Sequence, residues 1–288
     1  MTPFLKKQFL FLCLFSGFVS SHSGMSLADH PPNDFEGDGQ WGTLKSWPLI
    51  PLHMLTLPDG KILSFGTNES GMQGGSFIFD VYDPVEDIHF TLPNPLPTDI
   101  FCSHMALDST TGKVLIFGGD ARKSGPGQAL DGVNSLTIFD PKTFSLTAAS
   151  ETMEFARWYP SVVTLSNGEI LLLGGRDLEQ NGSHIPEVWN PLTGFRTLTS
   201  AGISDFTGDP TDAESLDESW WYPHAFQRSN GDVVIIEAHG NDVYIMNTGG
   251  AGSVKKVAKL PFESHKMDPS IMYDVDKVLM VDIHGGLW

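Results

Sequence analysis

The chain has 288 residues, 35 of them acidic and 17 basic, for a formal net charge of −18. A surface of that sign repels polyanions, which excludes nucleic acid and anionic membranes as its main partners. Apolar residues make up 40% of the sequence, enough for a packed core rather than a disordered coil.

The first 28 residues read as a secretory signal. Lys6 and Lys7 form a positive n-region, and Phe9 to Val19 is an apolar run about half the length a bilayer span needs. Cleavage is expected after Ser26-Leu27-Ala28, or earlier near Ser21 to Ser23. The mature protein is then secreted or periplasmic, and loss of the two lysines takes the net charge to −20. Cys13 leaves with the leader. Cys102 becomes the only cysteine, no intramolecular disulfide is possible, and a lone thiol in an exported chain calls for an explanation.

From residue 29 to 288 the chain repeats one pattern: a strand, a turn with glycine, a run of apolar residues, then often Gly-Gly. The first hairpin runs from Pro51 through Asp59-Gly60 to Gly66, and the second from His104 to Gly118-Gly119. The third runs from Tyr159 through Asn167-Gly168 to Gly174-Gly175, and the fourth from Tyr222 through Asn230-Gly231 to Ile236. A fifth opens at Asp268-Pro269 and reaches Gly285-Gly286. Asp-Gly and Asn-Gly are dipeptides that a tight turn with positive φ demands. The second strands, such as Ile170 to Leu173, are apolar throughout and predict burial on both faces. A second hairpin follows in each unit, its first strand ending in Asp or Asn, often before Pro: Asp83-Pro84, Asp140-Pro141, Asn190-Pro191 and Asn247.

Four strands per unit and a period of 52 to 63 residues between turn glycines predict an all-β, kelch-type β-propeller of about four and a half blades. Ala201 to Glu218 fits no strand, is rich in Asp and Glu, and is expected to be an inserted loop. A propeller that stops in mid-blade leaves an unpaired edge. The reading is therefore of an incomplete propeller, with a complementing C-terminal part as a possible partner.

Cys102 in Ile100-Phe-Cys-Ser-His104 and Tyr159 in Ala156-Arg-Trp-Tyr-Pro-Ser161 hold the same place in successive repeats. With Glu218-Ser-Trp-Trp-Tyr-Pro-His224 and Thr248-Gly-Gly-Ala-Gly252, these stretches resemble the galactose oxidase and glyoxal oxidase family of secreted copper-radical oxidases, bacterial members in particular. The resemblance runs from about Trp41 to Trp288 and implies a seven-bladed family fold. It implies that Cys102 and Tyr159 form a thioether-crosslinked radical cofactor, with Tyr159 also a copper ligand. The reaction implied is oxidation of a small primary alcohol or aldehyde by dioxygen, with hydrogen peroxide as co-product. The family's second Tyr, the His beside it and a further His have no counterpart here, so the chain alone is expected to be inactive. His104, His224, His239 and His284 are candidates by type only and read as structural. The indole that stacks on the crosslinked Tyr in galactose oxidase would fall near Asp177, which cannot stack. That enzyme's substrate-binding Arg also finds no counterpart, since no Arg occurs between Thr197 and Gln227. The alternative reading is a non-catalytic kelch propeller that binds protein or glycan and keeps Cys102 as a free thiol.

Overall fold

The structure, a computed structural model, describes residues 41–72, 77–121, 132–177, 183–204, 220–265 and 268–281. The signal segment, most of the inserted loop, His284 and Gly285-Gly286 lie outside them. Among the described residues no helix is long and apolar enough to cross a membrane. The chain divides into Met1–Ser46, whose described residues 41–46 carry no strand, and Trp47–Trp288, which holds every blade.

Strands β1 (Ile50–Thr56), β2 (Ile62–Thr67), β3 (Ile78–Asp83) and β4 (Ile88–Pro93) form one antiparallel sheet in chain order. The next sheet joins two blades. It contains β5 (Thr98–Leu107), β6 (Val114–Ala121), β7 (Val133–Asp140), β8 (Ser145–Thr164), β9 (Ile170–Arg176), β10 (Glu187–Asn190) and β11 (Gly194–Thr197). The junction is the 20-residue β8. Up to Arg157 it is the last strand of the second blade, paired with β7 through two register shifts; from Trp158 it is the first strand of the third, paired with β9. A third sheet, the fourth blade, contains β12 (His224–Gln227), β13 (Val233–Ile236), β14 (His239–Asn247) and β15 (Ser253–His265), and β16 (Ser270–Asp274) pairs with β17 (Lys277–Met280). The sequence predicted this all-β propeller, four full blades and one hairpin.

The turn glycines do what their dipeptides require, in a slightly longer loop than a two-residue turn. Gly60, Gly168 and Gly231 have φ of 87°, 84° and 91°. Each N–H donates to the carbonyl three residues back, and the residue there donates to the carbonyl beyond the glycine, as in Leu57 N–H to Lys61 O at 2.7 Å. This is a type I turn closed by a left-handed glycine. The Asp or Asn ending the third strand opens the second turn with its side chain: Asp83 Oδ1 accepts from Val85 N–H, Asp140 Oδ1 from Lys142, Asn190 Oδ1 from Leu192 and Asn247 Oδ1 from Gly249.

Apolar clusters fill the gaps between blades, which explains the unbroken apolar second strands. Val114 and Ile116 of β6 pack with Leu63, Phe65 and Phe79 of the first blade. Leu115 and Phe117, on the other face of β6, pack with Ile170, Leu172 and Trp189 of the third. Leu171 and Leu173 then meet Val233 and Ile235 of the fourth. Phe65, Phe79 and Phe117 are almost wholly buried, each worth roughly 1.5–3 kcal/mol of transfer free energy.

Candidate functional site

Three non-glycine residues at the start of successive inner strands share a left-handed backbone: Cys102 at φ 57°, Tyr159 at 62° and Tyr222 at 50°. Non-glycine side chains avoid this region, and residues held there cluster where structure serves function. The local chain is pinned by short polar contacts. Asp99 Oδ1 accepts from Phe101 N–H at 3.1 Å, and Ser103 Oγ donates to Ile100 O at 2.6 Å. Tyr222 N–H donates to Tyr159 O at 3.0 Å, and the Tyr222 hydroxyl to Ser103 O at 3.2 Å. Tyr222 thus ties the second, third and fourth blades together.

Arg157, two residues before Tyr159, is the buried anchor of this strand. Its guanidinium donates to Glu187 Oε2 at 2.9 Å, Ile185 O at 2.7 Å and Gly174 O at 2.5 Å. Both charged side chains are fully buried. Glu187 Oε1 also accepts from Glu154 N–H at 2.7 Å, so the pair is well satisfied. Burial pulls the Arg157 pKa down, and the Glu187 charge opposes this.

The fold brings Cys102 and Tyr159 together: Tyr159 packs against the cluster that holds Cys102, and the two polar groups interact electrostatically. Cys102 is buried and unbridged. Burial pushes its thiol far above the ordinary value, against the Tyr159 hydrogen bond and the more distant Arg176 charge; Asp120 and Asp99 push it further up. Burial and Cys102 likewise raise the Tyr159 phenol, and burial, Cys102 and Tyr159 raise Tyr222. All three groups are therefore protonated at neutral pH in the metal-free protein.

Tyr159 is enclosed by aromatic rings. Trp221 lies against it at 4.3 Å and 10° between ring planes, Trp158 at 3.9 Å and 30°, and Tyr222 at 4.9 Å. An indole therefore does stack on this phenol, which corrects the expectation drawn from Asp177. The ring comes from the start of the fourth blade instead of from the loop after Gly174-Gly175. Nor is the site without an arginine. Arg176, directly after that Gly-Gly, sits 4.1 Å over Trp158 and lies within electrostatic reach of Cys102 and Tyr159. The usable signal for Tyr222 was its offset of nine residues from Gly231, the same as Tyr159 from Gly168.

A cavity of about 400 Å³ lies beside this cluster, lined by His104, Ser161, Tyr222, His224, Asp268 and Ser270 among others. His104, Ser161 and His224 occupy one register in the second, third and fourth blades, opposite Phe117, Leu173 and Ile236. His104 Nδ1 is 3.1 Å from Pro160 O. His224 joins His265 O through Nε2 at 3.0 Å and Ser270 Oγ through Nδ1 at 3.0 Å. His239 packs against His265. His104, His224 and His239 thus each have partners within the protein. Among the described residues no three His, Cys, Asp or Glu side chains converge as a metal cluster. The fit to copper is thus partial: the Cys–Tyr pair and its aromatic surround suit a redox phenol, with one phenolate donor to offer.

No family model matches the chain. It is 26% identical over 242 residues to galactose oxidase of Gibberella zeae, covering 77% of this chain and 32% of the relative. It is 26% identical over 238 residues to a WSC domain-containing protein of Arthroderma benhamiae, covering 77% of this chain and 23% of that one. The chain thus spans about a third or less of the length of these curated relatives. Among solved structures, a fungal alcohol oxidase of the AA5 family in complex with copper superposes with a TM-score of 0.66 at 20% identity, over 86% of this chain and 50% of that one. The structure of YjhT gives 0.56 at 14% identity, over 81% and 78%. The fold is that of the two solved structures, and in sequence the chain is similar to galactose oxidase.

Proposed function

We propose that the chain carries the radical half of a copper-dependent oxidase site, with Cys102 and Tyr159 as the crosslinked cofactor and Tyr159 as one copper ligand. The observation that carries this is the meeting of the Cys102 sulfur and the Tyr159 hydroxyl under a stacked indole, both residues in strained backbone. Bound copper would supply a second one-electron acceptor and the charge that favours a phenolate. The chain's own residues bring the Cys102 sulfur to the Tyr159 phenol, bury the thiol and lay two indoles against the phenol ring. Joining sulfur to ring carbon releases the thiol proton, the ring hydrogen as a proton, and two electrons; these reduce dioxygen to hydrogen peroxide. Sulfur on the ring then donates electron density and makes the phenoxyl radical easier to form.

The substrate class is a small primary alcohol or aldehyde, oxidised by two electrons as dioxygen becomes peroxide. Further copper ligands must come from outside the described residues, from a complementing part of the polypeptide, so the described blades alone are inactive. The leader directs the protein to a secreted or periplasmic setting.

Intact-mass measurement after incubation with Cu²⁺ in air tests the assignment. The wild type is expected to lose two hydrogen masses and to yield a Cys102–Tyr159 crosslinked peptide, whereas Cys102→Ser and Tyr159→Phe keep full mass. An unchanged wild-type mass with a titratable Cys102 thiol defeats the proposal and favours a binding propeller.

A further inference from the structure

Four rings form a contiguous cluster: Trp158 on Tyr159 at 3.9 Å, Tyr159 on Trp221 at 4.3 Å, Trp158 to Trp221 at 5.8 Å, and Trp221 on Trp220 at 5.7 Å. Contacts this close pass electrons, so an oxidised Tyr159 would be able to draw an electron from an indole and lose its oxidising equivalent to the cluster. One side chain borders two of these rings. The Arg176 guanidinium lies 4.1 Å from the Trp158 ring and 5.7 Å from the Trp220 ring.

In the resting protein these are attractive cation–π contacts. Oxidation reverses their sign, because an indole that gives up an electron becomes a cation beside a fixed cation. Trp158 and Trp220 are only 4% and 5% exposed, so water screens that repulsion weakly. An indole radical escapes the repulsion by releasing its N–H proton. The Trp158 Nε1–H is buried and has no hydrogen-bond acceptor among the described residues. A phenol differs, since it sheds its proton with its electron and ends neutral.

We propose that Arg176 is an electrostatic barrier that hinders escape of the oxidising equivalent from Tyr159, either directly to Trp158 or through Trp221 to Trp220, by making Trp158 and Trp220 hard to oxidise. It is a positioning residue for the redox chemistry, acting through the indoles, and the inference rests on the proposed role of Tyr159. The step it suppresses is balanced: one electron passes from an indole to the phenoxyl, whose oxygen takes one proton from solvent. The products are the phenol and an indole radical cation.

The test uses the full chain after Cu²⁺ and air treatment and removal of the metal by chelation. It is oxidised with hexachloroiridate(IV), which accepts the electron, and followed by electron paramagnetic resonance. The wild type is expected to show a persistent phenoxyl spectrum. Arg176→Gln should lose that signal about tenfold faster and show an indole spectrum, the equivalent of one 1.36 kcal/mol step in barrier. Arg176→Lys, which keeps the charge, should stay near the wild type. Arg176→Gln combined with Trp158→Phe should regain most of the lifetime, a rescue that a merely structural role would not produce. Equal phenoxyl lifetimes in the wild type and Arg176→Gln overturn the barrier, as does a double variant that decays as fast as the single one. A wild type that yields no phenoxyl at all overturns the reading of Tyr159 and the barrier with it.

Discussion

The strand that carries Tyr159 is held by buried polar side chains, and Arg157 is the clearest of them. It spends its donors on Glu187, Ile185 O and Gly174 O inside a site with no water access. Arg157→Met strands the Glu187 carboxylate in the core and should cost about 3–5 kcal/mol. Adding Glu187→Gln removes the orphaned charge while keeping an acceptor for Glu154 N–H, and should restore at least about 1 kcal/mol of that loss. Denaturant unfolding of the two variants decides it: a single variant within about 1 kcal/mol of the wild type, or a double variant no better than the single, refutes the buried-pair account. Cys102 and Tyr159 were legible in the sequence because a lone thiol and a tyrosine at matched repeat positions are unusual residue types in unusual company. Arg157 gave no such signal, since its partner lies 30 residues away on another strand.

At the level of strands and turns, the Gly-Gly pairs show how one blade makes room for the next. A Cβ on Gly174 would run into the Trp220 carbonyl oxygen and approach Pro223 Cδ to 3.0 Å. A Cβ on Gly118 would meet the Arg157 carbonyl oxygen in the same way. Trp220 and Arg157 each stand two residues before a left-handed tyrosine, so the glycine sets how closely the next blade's inner strand, and its aromatic ring, can approach. Gly231 has a positive φ as well, but open space where its Cβ would go. Alanine at Gly231 should therefore cost only the backbone term of about 1–2 kcal/mol, whereas alanine at Gly174 adds a steric clash and should cost clearly more. Gly174→Ala should also move Trp221 off Tyr159 and slow the crosslinking reaction, which Gly231→Ala leaves intact. Thermal melts and crosslink rates measured side by side check this, and equal losses in the two variants would refute the close-approach argument. The repeat fixed these glycines in advance. The stacked indole was not legible, because Trp221 is 62 residues from Tyr159 and across the inserted loop, whereas Tyr159's own blade offers Asp177.

Across the whole molecule, the inner strands place His53, His104 and His224 at one register, opposite Phe65, Phe117 and Ile236. Burial lowers all three pKa values. His53 is brought to about 3, by burial and then by His104; Pro160 O partly opposes the shift at His104, as His265 O and Asp268 do at His224. In the unfolded chain each titrates near 6.5. The folded state thus binds fewer protons, and the stability these residues confer is fully present above about pH 6.5 and is lost as pH falls toward the folded values. Each contributes a slope of up to about 1.4 kcal/mol per pH unit in that window, or about 4 kcal/mol per unit for the three together. Several carboxylates are shifted the other way relative to their charge. Asp108, whose burial raises its pKa, is held below its ordinary value by hydrogen bonds from Thr111 and Thr110, and its stabilisation fades only at more acid pH. The range between about pH 6.5 and 5 therefore isolates the histidines. Melting temperature should fall steadily through it, and His104→Gln should flatten the slope, since one of three such groups is gone and His53 loses the neighbour that helps to lower its pKa. A wild-type melting temperature that holds level down to about pH 5 would mean that the inner-strand histidines take up protons without unfolding. The packing around the cavity would then be looser than the hydrogen bonds of His104 and His224 imply.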